Sequence, residues 1–202
     1  MRITVLDPGL SIDDSTVIGF GLDRSEHAVG IVADASRLFL RHEDDVDLAA
    51  LSAAAAADAP VRTVYALQEV LDALQRTLPE AARERLRFEA VDVGDTVALP
   101  DGMATALPAD RGAQPAIGWL IEGPWRALAI CGDDGAFAAF WHWAANAPSL
   151  TDVICPQIGA DALALLPPNV HIWLPPDAPL PAVGAHFSHP IAASRAGMPL
   201  EL

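Results

Sequence analysis

The stretch Gly102–Gly135, GMATALPADRGAQPAIGWLIEGPWRALAICGDDG, decides the fold. ATALPAD, AIGWLIE and WRALAICGD are short apolar runs bounded by Gly, Pro or Asp, the pattern of consecutive strands. The third run breaks at Cys131-Gly132-Asp133-Asp134-Gly135, and AFAAFWHWAA follows with apolar residues at helical spacing. A strand, an acidic turn and a helix in that order hold carboxylates at the carboxyl edge of a sheet, where α/β folds bind ligands.

Upstream, MRITVLDP, STVIGFGLD and HAVGIVAD read as an antiparallel meander, and RLFLRHEDD as a fourth strand running into an acidic loop. DVDLAALSAAAAADAP forms a helix with Asp at its start and a stop at Pro60. VRTVYA is a strand, and LQEVLDALQRTL an amphipathic helix with Leu67, Val70, Leu71, Leu74 and Leu78 on one face. After the polar PEAARER, LRFEAVDVGDTVALPDG gives two short strands around a Gly-Asp turn. Downstream of the opening stretch, strand LTDVICP, helix IGADALALL, strand VHIWLPP, a Pro-rich passage from Pro175 to Pro190 and a final MPLEL complete the chain. This order predicts one α+β domain over residues 1–202, a four-layer αββα sandwich of two mixed β-sheets packed face to face with helices outside.

Composition narrows the function. The 202 residues are 52% hydrophobic, enough for one sizeable core. Net charge is −15, and all 12 basic residues are Arg. Such a surface repels phosphate backbones and anionic lipid heads, which argues against nucleic-acid and membrane partners. No stretch approaches the roughly 20 apolar residues of a membrane span, and MRITVLDPGL lacks the apolar core of a signal peptide, so a cytoplasmic location is expected. Cys131 and Cys155 each end a strand-like run and are expected to be reduced core residues.

DVGDTVAL, ATALPADRG, PAIGWLIE, LAICGDDG and AFWHW, in this order, resemble the second half of the metallo-β-lactamase superfamily, most closely its class II cyclic-nucleotide phosphodiesterase branch. MRITVL, LFLRHEDDVDLAAL and RAGMPLEL extend the resemblance to both ends of the chain. It implies the same αββα sandwich and a two-metal hydrolytic site built on an HxHxDH motif. Here the corresponding positions are His42, Asp44, Val46 and Asp47. The His that follows ALPAD in the family is Arg111, Asp133 keeps the bridging carboxylate, and the last His falls on or next to Pro176. His171 lies at the other end of that strand.

Two uses of these residues follow. His42, Asp44, Asp47 and Asp133 would make an oxygen-rich site for one divalent metal, Mn, Mg or Zn, activating water in a residual cyclic-nucleotide phosphodiesterase or other hydrolase, with Asp133 and His42 as catalytic residues. Alternatively Asp44, Asp45 and Asp47 cap the Ala-rich helix, Arg111 pairs with Asp133, and no metal or other cofactor is bound. The second use is the expectation: a pseudoenzyme with an interaction or ligand-sensing role. The resemblance implies pairing, as a homodimer or as a heterodimer with a related protein. Arg111 is also a candidate contact for a small anionic ligand. His186 and His189 read as surface-loop residues, and the Phe140–Trp143 run as core packing with Phe140 and Trp143 on one face.

Overall fold

The computed structural model describes residues 2–6, 9–12, 16–18, 36–45, 51–52, 62–131, 137–174, 189–193 and 199–201. The chain divides into two compact units, one from Arg2–Val91 with Ala196–Leu200, the other chiefly from Asp92–Arg195.

In the first unit β1 (Arg2–Leu6), β2 (Gly9–Ile12) and β3 (Thr16–Ile18) form an antiparallel meander. β4 (Arg37–Phe39) then runs parallel to β3, β5 (Arg62–Ala66) to β4, and β6 (Leu86–Ala90) to β5. The meander thus closes earlier than the sequence suggests: its middle strand is Gly9–Ile12, four residues that include Gly9 and Ser11, too short and too weakly apolar to register as a strand by itself. HAVGIVAD lies outside the described residues, as does most of the Ala-rich segment, of which Leu51 and Ser52 are helical.

Helix α1 (Gln68–Thr77) places Val70, Leu71 and Leu74 against Leu38, Leu40, Val64 and Ala66 of the sheet, as its periodicity predicts. It stops because Leu78 precedes Pro79, which disfavours helical backbone; Leu78 is extended, with ψ 141°. PEAARER is not merely a polar link. Its Glu80–Arg83 forms a helical turn, α2, that buries Ala82 in the same core.

The second unit repeats the plan. β7 (Thr96–Leu99), β8 (Gly102–Pro108), β9 (Ile117–Glu122) and β10 (Ala127–Ile130) are antiparallel neighbours. β11 (Leu150–Ile154), β12 (His171–Leu174) and β13 (Ile191–Ala193) add in parallel. The last strand, β14 (Pro199–Glu201), returns to the first sheet beside β1, giving two mixed sheets of seven strands among the described residues. β9 and β10 are buried on both faces, which is why they read as continuous apolar runs.

β6 and β7 look like a hairpin in the sequence, yet they belong to different sheets. The backbone changes partner within a few residues: Val91 N–H donates to Ala66 at 3.0 Å, whereas Gly94 N–H donates to Ala106 at 2.8 Å. Gly94 allows the change with φ +95°, and a Cβ there would also sit 3.3 Å from Trp143 Cη2. Gly94→Ala is therefore expected to cost about 1–2 kcal/mol in urea unfolding, from left-handed backbone strain and the Trp143 contact together. A loss below about 0.5 kcal/mol would show that neither constraint matters.

Helices α3 (Ala138–Ala145) and α4 (Ala160–Leu165) cover one face of the second sheet. The buried pair on α3 is Phe140 with Trp141, edge-to-face at 5.0 Å, not Phe140 with Trp143. Trp143 is 45% exposed, and Trp141 instead closes the core with Ala144. An amphipathic estimate fails on a helix this apolar all round, because periodicity no longer separates its faces. No helix among the described residues is long and apolar enough to cross a membrane.

Candidate functional site

The loop that follows β4 starts from an apolar strand, RLFL, and ends in a cluster of charges, RHEDD. Leu40 still belongs to the sheet, donating its N–H to Tyr65 O at 2.9 Å. The chain then tightens into a 3₁₀ turn over Glu43–Asp45, with Asp45 N–H donating to His42 O at 3.2 Å. This turn brings Asp45 back over Arg41. Asp45 Oδ2 accepts from Arg41 N at 2.5 Å and from Nε at 3.1 Å, while Oδ1 accepts from Nη2 at 2.6 Å.

Arg41 and Asp45 are 2% and 0% exposed, so this forked ion pair has left water almost entirely. His42 closes the cluster. Its Nδ1 accepts from Asp44 N–H at 3.2 Å, which leaves the ring proton on Nε2, 3.1 Å from Asp45 Oδ1 though poorly aligned for a hydrogen bond. Asp44 itself is exposed.

These positions revise the site read from sequence. His42 is buried whereas Asp44 is exposed, and the Asp44 backbone N–H is what meets the His42 ring at 3.2 Å. Asp45, read as a helix cap, binds Arg41, a residue the sequence reading passed over. The available signal was an Arg at the end of an apolar strand with an Asp four residues on, the spacing that closes over one turn. Asp47 and Asp133 lie outside the described residues, and so do Pro176 and His186.

Arg111 follows β8 in a tight turn that Asp110 organises, its Oδ1 accepting from Gly112 N–H at 2.8 Å. Gly112 is left-handed at φ +68°, and Arg111 bridges to Gln114 across the turn. His171 opens β12, with Nδ1 3.9 Å from Asp152 Oδ1. Asp152 is held by Trp173 Nε1 at 2.8 Å and Thr151 Oγ1 at 2.7 Å, a structural carboxylate on the inner strands. His189 Nε2 lies 3.3 Å from Leu166 O, so this histidine packs on the helix α4 end and is only part-exposed. A cavity of about 430 Å³ lies between α3 and α4, lined by Trp141, Gln157, Ile158, Asp161 and Leu165 among others. Among the described residues its one charged lining residue is Asp161, which does not suit an anion.

Cys131 and Cys155 are buried and not joined by a disulfide, as expected. Burial, and secondarily the neighbouring Cys131, push the Cys155 thiol well above its ordinary range. A raised folded-state value means the neutral thiol stabilises the fold below the unfolded-state value, and this is lost as pH rises through the folded one. With no Lys and a single Tyr, few other groups ionise there. Stability is expected to fall above about pH 8.5, by at most about 1.4 kcal/mol per pH unit for one thiol. Urea midpoints for wild type and Cys155→Ala between about pH 7 and 10 test it: the variant should lose part of the slope, and equal slopes would refute the assignment.

Comparison with solved structures decides the fold. The chain superimposes on YhfI of Bacillus subtilis, described as a metallo-β-lactamase fold protein, with TM-score 0.70 and 13% identity over 98% of each chain. The chain has the metallo-β-lactamase fold. Zinc-bound PqqB from Methylobacterium extorquens matches at TM-score 0.63 and 12% identity, over 96% of this chain and 85% of that one. The short form of human tRNase Z matches at 0.62 and 11%, over 100% and 99%. No protein-family model matches the sequence, nor does any curated protein.

The family resemblance puts a divalent metal at the loop after β4, and the described residues of that loop, His42 and Asp45, do not by themselves suit one. A cation on His42 Nδ1 would displace the Asp44 amide. A cation between Nε2 and Asp45 Oδ1 would stand beside the Arg41 guanidinium, whose Nη2 is already 2.6 Å from that oxygen. Among the described residues no group of three or more His, Cys, Asp or Glu is placed to hold a metal.

Proposed function

We propose that this chain is a catalytically degenerate metallo-β-lactamase-fold protein that acts by interaction or ligand sensing. The observation that carries the reading is the buried Arg41–Asp45 fork, with His42 against it, in the loop to which the family resemblance assigns the first metal-ligand motif. A guanidinium there supplies the positive charge that a metal would otherwise bring, so the loop closes on its own residues. Pairing, as a homodimer or a heterodimer with a related protein, belongs to the same reading, and Arg111 is the residue offered to a small anionic ligand.

The zinc in PqqB favours a second reading, a residual metal-dependent hydrolase using His42, Asp44, Asp47 and Asp133. Cyclic nucleotides are its first substrates to assay. One measurement separates the two: thermal unfolding and elemental analysis of untagged protein with EDTA, Zn²⁺, Mn²⁺ or Mg²⁺. The pseudoenzyme reading expects the same Tm, within about 1 °C, in all four, and well under one bound equivalent. A metal-dependent rise of roughly 5 °C or more with about one equivalent retained would establish the hydrolase reading instead.

A further inference from the structure

The two cysteines of the chain come from different strands, and the fold sets them side by side. β10 and β11 are parallel neighbours with Ala129 opposite Val153 and Ile130 opposite Ile154. The ladder continues one step further, since Cys131 N–H donates to Ile154 O at 2.9 Å. Cys131 therefore stands opposite Cys155, and both side chains enter the same core beneath α3 and α4. Neighbouring strands lie about 4.8 Å apart, inside the roughly 4.4–6.8 Å Cα window for a disulfide. Both residues sit one position past the ends of β10 and β11, so drawing the two Cβ atoms together asks for a shift at the strand ends and not in mid-strand.

We propose that Cys131 and Cys155 form a reversible intrachain disulfide, a redox-modification site across the ends of β10 and β11. The oxidant is a small disulfide such as oxidised glutathione. One protein thiol, as thiolate, attacks it to give a mixed disulfide and release one small thiol. The second protein sulfur then displaces the other small thiol. The two protein thiol protons end on the two released thiols, the small disulfide is reduced, and the protein pair is oxidised. The bond would close the segment carrying α3 into a loop and restrict the unfolded chain. Because the cysteines are 2% and 1% exposed, exchange requires local opening and is slow. This proposal is independent of whether the chain binds a metal.

The test equilibrates full-length protein in glutathione buffers from reducing to oxidising ratios. Equilibrium is approached both from native protein and from denatured protein refolding in the same buffer. Acid quenching, alkylation under denaturing conditions and peptide mass spectrometry follow. The expected result is loss of both thiols together, a Cys131–Cys155 linked peptide in monomeric protein, and a Tm raised by roughly 5 °C that dithiothreitol reverses. Cys131→Ala and Cys155→Ala should each leave the remaining thiol alkylatable under the same conditions. Two free thiols at the most oxidising ratio from both directions, or only glutathione adducts or cross-linked chains, would overturn the proposal. The wild-type peptide map decides the matter even if a variant does not fold.

Discussion

Asp45→Ala is expected to lower stability by about 3–5 kcal/mol, because it removes the carboxylate onto which the buried Arg41 guanidinium is forked. For a chain of this size that corresponds to a Tm lower by roughly 10 °C or more. Arg41 alone sends three hydrogen bonds to Asp45, at 2.5, 2.6 and 3.1 Å, one of them from its backbone, so the variant also loosens the turn. Asp45→Asn should fall between wild type and Ala, since an amide oxygen still accepts one bond but carries no charge. The double variant Arg41→Met with Asp45→Leu should recover most of the loss, as apolar groups of similar volume often replace a buried pair at little cost. Chemical denaturation of wild type, Arg41→Met, Asp45→Leu and the double variant makes a double-mutant cycle. If Asp45→Ala cost less than about 1 kcal/mol, the fork would not be what closes the loop, and the pseudoenzyme reading would lose its main support.

Gly118→Ala is the second large effect, about 2–4 kcal/mol. A Cβ at this position would lie 2.6 Å from Phe140 Cε2 and 2.8 Å from Ile130 O. The ring is itself fully buried on α3, and the carbonyl belongs to the neighbouring strand, so neither has open space to move into. The loss should appear in Tm and in urea midpoint without a change of m-value, because the strain is local. Phe140→Leu in the Gly118→Ala background should return part of the stability, which a general loss of strand propensity would not do. A wild-type midpoint for Gly118→Ala would mean that α3 sits farther from β9 than the structure has it.

The fold was largely legible because its decisive segments are local. ATALPAD, AIGWLIE and WRALAICGD became β8, β9 and β10, since each carries its own turn residues, and AFAAFWHWAA became α3, though not with the buried face expected of it. α1 and its buried face were equally plain. The first motif was visible as a departure from HxHxDH, and the apolar strand leading into it as β4.

What the sequence by itself determined, then, is the kind and order of elements, the acidic surface, and the absence of Lys and of a full imidazole set at the expected positions. Tertiary structure alone decided three things. It assigned β6 and β7 to separate sheets, because partner choice depends on Ala66 and Ala106, which lie far apart in the chain. It turned Asp45 inward onto Arg41, because a charge cluster reads as a solvated loop until the turn that closes it is known. It also set Cys131 opposite Cys155, because the register of two parallel strands is fixed by the helix and core between them and not by either strand alone.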